Sequence, residues 1–306
     1  MSTHLIKPHL LVVGGTGYIG YHLTLAAKKK GWKVTSISIG IPSKDRYVAG
    51  VNYLRIDISN LKKLKKKLVG QFTFVVNLGG YVNHASFKDK KNKLIKNHFI
   101  GLVNLTKIFS KKKIKKFIQI GSSVEYGEIE GPQSEHQHGF PNSPYALAKL
   151  ASTQFLLMLY KNKKFPVIIL RFFQVYGPNQ NKNRFLPQII KGCLDNKTFP
   201  ASSGGQVRDF CHIDDITNAI FLSLNAKRAD GEIFNIGSGQ PKKIKYIIHQ
   251  IRKIVGKGKA QFGKIKYREN ENMKLYPNIK KARTILKWKP KITFNRGIKT
   301  VINSYR

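Results

Sequence analysis

Leu10-Leu11-Val12-Val13-Gly14-Gly15-Thr16-Gly17-Tyr18-Ile19-Gly20 is the stretch on which the reading of this chain turns. An apolar run of buried-strand type is broken by glycines at 14, 17 and 20 and passes into a segment, 18–30, with helical pattern. Glycine suits such a turn because no side chain then keeps a pyrophosphate from the backbone N–H groups at the helix N-terminus, where the macrodipole favours negative charge. Turns and close helix–strand packing also collect glycine, so position has to distinguish the two. Here strand and helix signals go on alternating for about 150 residues, as a dinucleotide-binding unit requires. Gly14, Thr16, Gly17, Tyr18, Ile19 and Gly20 are therefore the first candidate cofactor contacts.

Working outward, strands are expected at 33–39, 51–56, 72–78, 116–121 and 167–171, with helices at 59–69, 92–111 and 144–161 between them. Strands separated by helices predict an α/β fold, a Rossmann-type doubly wound parallel sheet. From Val175 the rhythm changes, with Tyr176-Gly177-Pro178-Asn179-Gln180 rich in turn formers and later elements shorter. Helices are expected at 214–225, 245–255 and 279–286, and a short strand at 233–236. This half reads as a smaller C-terminal substrate-binding lobe at the strand ends where open α/β sheets take ligands. The expected division is 1–174 for the dinucleotide-binding domain, with 209–236 returning to it, and 175–208 with 237–306 for the lobe.

The chain of 306 residues is 41% hydrophobic, enough for a large core. Its outlier is charge: 56 Lys and Arg against 15 Asp and Glu, net +41. A polyanion surface would explain that excess. Against it, the cations are mostly lysine and spread along the chain, at 28–30, 62–67 and 111–116, closing helices or lying on the wet side of amphipathic patterns. Solvated faces are the preferred reading, and nucleic acid is not an expected partner. Cys193 and Cys211 have no metal-like or redox spacing, so no metal site is expected. No apolar run reaches the roughly 18 residues of a membrane span, and a cytoplasmic location is expected.

Tyr145-Ala146-Leu147-Ala148-Lys149 opens a predicted helix. A spacing of four puts phenol and ammonium on one face, and the cation favours the phenolate, which suits a proton donor or acceptor. Gly121-Ser122-Ser123 closes a strand at the edge where the cofactor should lie and offers hydroxyls to a substrate oxygen.

These pieces, with Asp57-Ile58, the 122–127 run, Arg171-Phe172-Phe173, Val175-Tyr176-Gly177-Pro178, Arg208-Asp209-Phe210, Asp214-Asp215, Asn235-Ile236-Gly237 and Lys287-Trp288-Lys289-Pro290, resemble the extended short-chain dehydrogenase/reductases of the nucleotide-sugar epimerase/dehydratase family over nearly the whole chain. The resemblance implies Tyr145 as acid/base, Lys149 as its tuning cation and ribose ligand, and Ser122 as hydrogen-bond partner of the reacting sugar oxygen. It implies Asp57 and Ile58 near the adenine and Asn97 in support of the site. Leu78, Gly79 and Gly80, after the fourth strand, complete the cofactor candidates. Arg208 and Arg268 match arginines that the family turns on the substrate diphosphate, for which a bidentate guanidinium is suited. Gln174 stands where many relatives have a substrate-contacting asparagine, and Ser123, His84, Arg184 and Phe199 are further substrate candidates. Family members are commonly homodimers, so a homodimer is expected.

Two departures bear on the reaction. NAD-using relatives place an acidic residue on the adenosine ribose at the end of the second strand, whereas this chain has Ser38 with Lys44 and Arg46 beyond, a set that suits a 2'-phosphate and hence NADP(H) rather than NAD(H). Sugar dehydratases carry an Asp-Glu pair after the active-site hydroxyl residue; here Ser123 and Val124 stand there, which disfavours dehydration. The chain also resembles NDP-4-keto-6-deoxyhexose reductases at Val124-Glu125-Tyr126-Gly127 and at 268–273. The expectation is NADPH-dependent reduction of a C4 keto group on a dTDP-, CDP- or GDP-linked sugar. An NAD-dependent 4-epimerase, or a non-catalytic NADP- or nucleic-acid-binding protein, is the alternative. Glu125 is open between substrate contact, helix capping and a structural ion pair.

Overall fold

The computed structural model describes residues 7–80, 93–269 and 271–306. Six strands, β1 His9–Val13, β2 Lys33–Ser38, β3 Asn52–Arg55, β4 Phe74–Asn77, β5 Lys116–Ser122 and β6 Val167–Phe172, join Ile233–Ile236 in one seven-stranded parallel sheet. Its order is Ile233–Ile236, β6, β5, β4, β1, β2, β3. β1 lies between β2 and β4, with Val13 in register with Ile37 on one side and Asn77 on the other. Strand order reverses at β1 and β4, the place where such sheets take ligands at their carboxyl ends.

The strand sequences follow from burial on both faces. β4 (FVVN) and β6 (VIILRF) are buried along their whole length, as central parallel strands are. β3 (NYLR), at the edge, has no buried residue. Leu11, Val13, Val75, Leu102, Leu105, Phe117, Val167 and Ile169 form the core of this unit.

Helix boundaries reflect local chemistry. Leu61–Lys67 starts where the Asn60 side chain accepts from the Lys63 N–H, and Pro144–Lys163 starts at Ser143, whose Oγ accepts from the Ala146 N–H with proline in the first turn. The helix expected over 92–111 is observed as Lys93–Ile95, a π-helical turn Lys96–Ile100 and Gly101–Phe109.

The chain divides into two compact units, 1–125 with 141–171 and 220–234, and 126–140 with 172–219 and 235–306. The bounds differ from those expected. Residues 126–140 join the second unit because their backbone is held by 274–278: Gly131 N–H donates to the Lys274 carbonyl (2.6 Å) and Asn278 N–H to the Gln133 carbonyl (2.8 Å). In the second unit, helices Phe185–Leu194, Ile244–Val255 and Phe294–Asn303 bury Ile189, Ile190, Ile247, Ile248, Ile251, Ile298 and Val301 together. The last of these helices was not expected, although Phe294, Ile298, Val301 and Ile302 have helical spacing. Gly297 interrupts that pattern, and the structure explains it: a Cβ there would lie 2.2 Å from the Tyr176 hydroxyl.

Cys193 and Cys211 are both buried free thiols. Among the described residues no helix is long and apolar enough to cross a membrane, and no His, Cys, Asp and Glu cluster could hold a metal ion.

Candidate active site

The glycine turn is built at close quarters. Gly14 has φ +81, its N–H donates to the Ile37 carbonyl (2.7 Å), and a Cβ on it would meet the Leu78 carbonyl oxygen at 3.0 Å. Gly20 lies so near the turn that a Cβ would fall 2.2 Å from the Gly14 oxygen, which leaves only glycine. Gly17 is exposed and caps the helix Tyr18–Lys29, whose first turn holds no acidic residue. These features fit a pyrophosphate: an open backbone at a helix N-terminus with no carboxylate to repel it. Thr16 N–H points to Ser38 Oγ (3.4 Å), and Tyr18 and Ile19 are half-buried in the first helical turn.

After β4, Asn77 Oδ1 accepts from the Gly79 N–H (3.0 Å) while its amide donates to Gln119 Oε1 (2.8 Å), so the 78–80 loop is tied to β5. Gly80 has φ +103, and a Cβ on it would strike the His98 ring at 2.0 Å. Asp57 is exposed and closes a turn by accepting from Ser59 N–H (2.8 Å), while Ile58 is core. Asn97 is half-buried in the π-helical turn.

Ser38 is in register with Arg55 on β3, whose Nε donates to the Ile39 carbonyl (3.0 Å). Sequence reading missed Arg55 because only strand pairing places it there. Lys44 and Arg46 follow in a 3-10 turn with Asp45 between them.

Tyr145 and Lys149 are buried on one face of the helix Pro144–Lys163, each 5% exposed. The Lys149 ammonium donates to the Ile120 carbonyl (2.8 Å), which ties the helix to the strand ending in Ser122, and lies 5.9 Å from the Tyr145 ring centre. Burial lowers Lys149 from an ordinary lysine to about 8, and Glu125 opposes that shift. The Tyr145 ring meets His98 edge-on, centres 5.2 Å apart. Nothing in the sequence beyond its place after Asn97 pointed to His98.

Ser122 is half-buried and Ser123 buried at the start of a 3-10 turn. Glu125 is the acid of a buried structural ion pair. Oε1 accepts from the Ser122 N–H (2.7 Å), and Oε2 accepts from Thr153 Oγ1 (2.7 Å) and Arg171 Nε (3.0 Å). Both members of this ion pair are inside, the Glu125 side chain 0% and the Arg171 side chain 2% exposed. Thr153 repeats the spacing of four from Tyr145 through Lys149, a signal that could have found it.

The remaining candidates belong to the second unit. Arg208 is 8% exposed and ion-paired with Glu271, and Arg268 is near enough to act electrostatically on it; burial lowers the Arg208 guanidinium from its ordinary range. Gln174 is exposed on a strand paired with Phe210–His212, and Arg184 is exposed at the N-cap of Phe185–Leu194. Phe199 packs into the core of its unit against Gly192. His84 lies outside the described residues.

The sequence profile of the NAD dependent epimerase/dehydratase family matches residues 10–237. The chain is 27% identical to the UDP-N-acetyl-alpha-D-glucosaminuronate decarboxylase of Bacillus cytotoxicus, over 98% of each chain. It is 26% identical to the UDP-glucuronate 4-epimerase of Thermodesulfobacterium geofontis, over 96% of this chain and 95% of that one. Among solved structures, UDP-glucuronic acid 4-epimerase from Bacillus cereus, in complex with UDP-glucuronic acid and NAD, aligns with a TM-score of 0.86 at 29% identity, covering 97% of this chain and 98% of that chain.

Proposed function

From the premise that the chain belongs to the NAD dependent epimerase/dehydratase family, we propose that it is a nucleotide-sugar-modifying enzyme that changes the oxidation level at C4 of the sugar. The observation that carries this reading is the burial of Tyr145 and Lys149 on one helix face, tied through Ile120 to the strand that ends in Ser122. Relatives that act on nucleotide-linked sugars support the substrate class.

The nicotinamide cofactor, when bound, supplies the hydride for the C4 carbon. Gly14 to Gly20 would hold its pyrophosphate, and Asp57, Ile58 and Asn97 its surroundings. Tyr145 gives its phenolic proton to the C4 oxygen in reduction, or takes it in oxidation. The Lys149 ammonium stabilises the phenolate left behind, and the Ser122 hydroxyl donates a hydrogen bond to the oxygen as charge develops. Arg208 and Arg268 would take the diphosphate, Arg208 exchanging Glu271 for phosphate oxygens. In this reading the first unit binds the dinucleotide and the second the nucleotide sugar.

For the direction of the reaction we propose NADPH-dependent reduction of a 4-keto-6-deoxyhexose. Ser38, where an acidic residue would select NAD, is flanked in space by Arg55 and followed by Lys44 and Arg46, a basic set that favours a 2'-phosphate. The epimerase reading has its own support in the UDP-glucuronate 4-epimerase relatives. Val124, in the place of the dehydratases' acid, argues against dehydration. The two readings separate in one assay: UDP-glucose and UDP-glucuronic acid are incubated without added cofactor and examined for their C4 epimers. The reductase reading expects none; epimer formation at enzymatic rates rejects it for the epimerase.

A further inference from the structure

We propose that Glu125 is a positioning residue, holding the Ser122 turn through one carboxylate oxygen and steadying the Lys149 ammonium with its charge. The proposal rests on the reading of Ser122, Tyr145 and Lys149 as the catalytic set.

A carboxylate in the protein interior is costly unless its oxygens are paired, and a structural residue in this place could be apolar. The chain instead makes room for it. A Cβ on Gly121 would lie 2.5 Å from Glu125 Oε1, so the glycine that precedes Ser122 leaves the space the carboxylate occupies. Arg171 Nε donates to Oε2, which it shares with Thr153, and Oε1 accepts from the Ser122 N–H. The partner that satisfies Oε1 is thus the backbone of Ser122, so the carboxylate's place and the course of the Ser122 turn are fixed together.

Among the described residues, groups from several elements lie around Lys149. Its own helix supplies Tyr145 one turn before it and Thr153 one turn after it, and β5 supplies the Ile120 carbonyl. The turn after β5 supplies Glu125, with Arg171 of β6 on that carboxylate, and the π-helical turn supplies His98 against Tyr145. Among these described groups Glu125 is the one acid, and its charge opposes the burial that brings Lys149 to about 8. Without it, nothing among these groups opposes the burial, so the ammonium gives up its proton at lower pH and the phenolate of Tyr145 loses its counter-charge there.

The test needs no substrate. Protein labelled with 13C at the lysine ε-carbons is titrated by NMR, and the Lys149 signal is assigned by its loss in Lys149→Met. The wild type should titrate near 8, and Glu125→Gln should lower the midpoint by about one unit or more, the effect of losing an adjacent opposite charge. An unchanged midpoint in a folded Glu125→Gln overturns the proposal. Glu125→Asp, which keeps the charge but withdraws it by one methylene, should lower the midpoint by a smaller step. Should the glutamine variant not fold, an aspartate variant with the wild-type midpoint is equally decisive. If Tyr145→Phe retains turnover, the catalytic reading fails while the Lys149 titration still reports on Glu125.

Discussion

A phenol is mostly protonated at neutral pH, and in the acid and base role proposed for Tyr145 the cation one helical turn away is what favours its phenolate. Tyr145→Phe removes the proton and leaves the ring against His98 and Lys149, so turnover should fall by at least about 100-fold while dinucleotide affinity, measured by fluorescence titration, changes little. Near-normal turnover rejects Tyr145 as acid/base. Lys149 makes a second prediction. Its folded-state value of about 8 lies below the unfolded 10.5, so the unfolded chain binds the extra proton between those pH values and stability gained from this group rises with pH. Relative to Lys149→Met, the wild type should gain about 3 kcal/mol between pH 7 and pH 10.5. Paired urea unfolding curves at the two pH values measure that difference, and a constant difference contradicts the buried-ammonium geometry. The Tyr145 to Lys149 spacing was legible in the sequence because both lie on one helix. The pairing at Glu125 was not: Thr153 shares the helix face of Tyr145 and Lys149, but it and Arg171 are 28 and 46 residues away from Glu125 along the chain, and only folding brings them to one carboxylate.

At the level of elements, the turn from β1 to the first helix is limited by how closely the two can approach. Gly20→Ala sets a methyl 2.2 Å from the Gly14 carbonyl oxygen, with the Gly15 Cα also too near. The helix must shift to admit it, costing about 1–3 kcal/mol. The melting temperature should fall, and dinucleotide affinity should drop about tenfold or more, since the amides at the helix N-terminus move with the helix. An affinity equal to wild type would show that the turn does not set the cofactor site. A second consequence concerns β2 and β3, whose pairing brings Arg55 beside Ser38. Arg55→Ala should weaken NADPH about tenfold, the worth of a charged hydrogen bond, and leave NADH unchanged. Equal losses for both cofactors remove Arg55 from the 2'-phosphate. Strands such as 74–77 and 167–172 were legible because parallel strands buried on both faces are nearly all apolar. The π-helical turn at 96–100 has no such signature, and Phe294–Asn303 was hidden by Gly297, a residue chosen by the Tyr176 hydroxyl rather than by the helix it sits in.

For the molecule as a whole, 15 carboxylates cannot neutralise 56 cations. The helix Leu61–Lys67 illustrates where the excess goes: Leu64 is buried, and Lys62, Lys63, Lys65, Lys66 and Lys67 are all exposed. Self-repulsion on this scale is relieved by screening, so the melting temperature should rise as sodium chloride increases from low to physiological ionic strength. A fall would mean that attractive surface pairs dominate instead. We also propose a homodimer, supported by exposed apolar Leu147 and Met158 on the helix Pro144–Lys163 and Ile100 on the turn before Gly101–Phe109. In the proposed function this family member directs a reduced dinucleotide to a C4 carbonyl through Tyr145. Its most direct test is incubation with NADPH and a panel of dTDP-, CDP-, GDP- and UDP-linked 4-keto-6-deoxyhexoses, following loss of the reduced nicotinamide absorbance. The account predicts consumption with at least one of these sugars, absent in Tyr145→Phe. No consumption with any of them, or consumption that the phenylalanine variant matches, contradicts it.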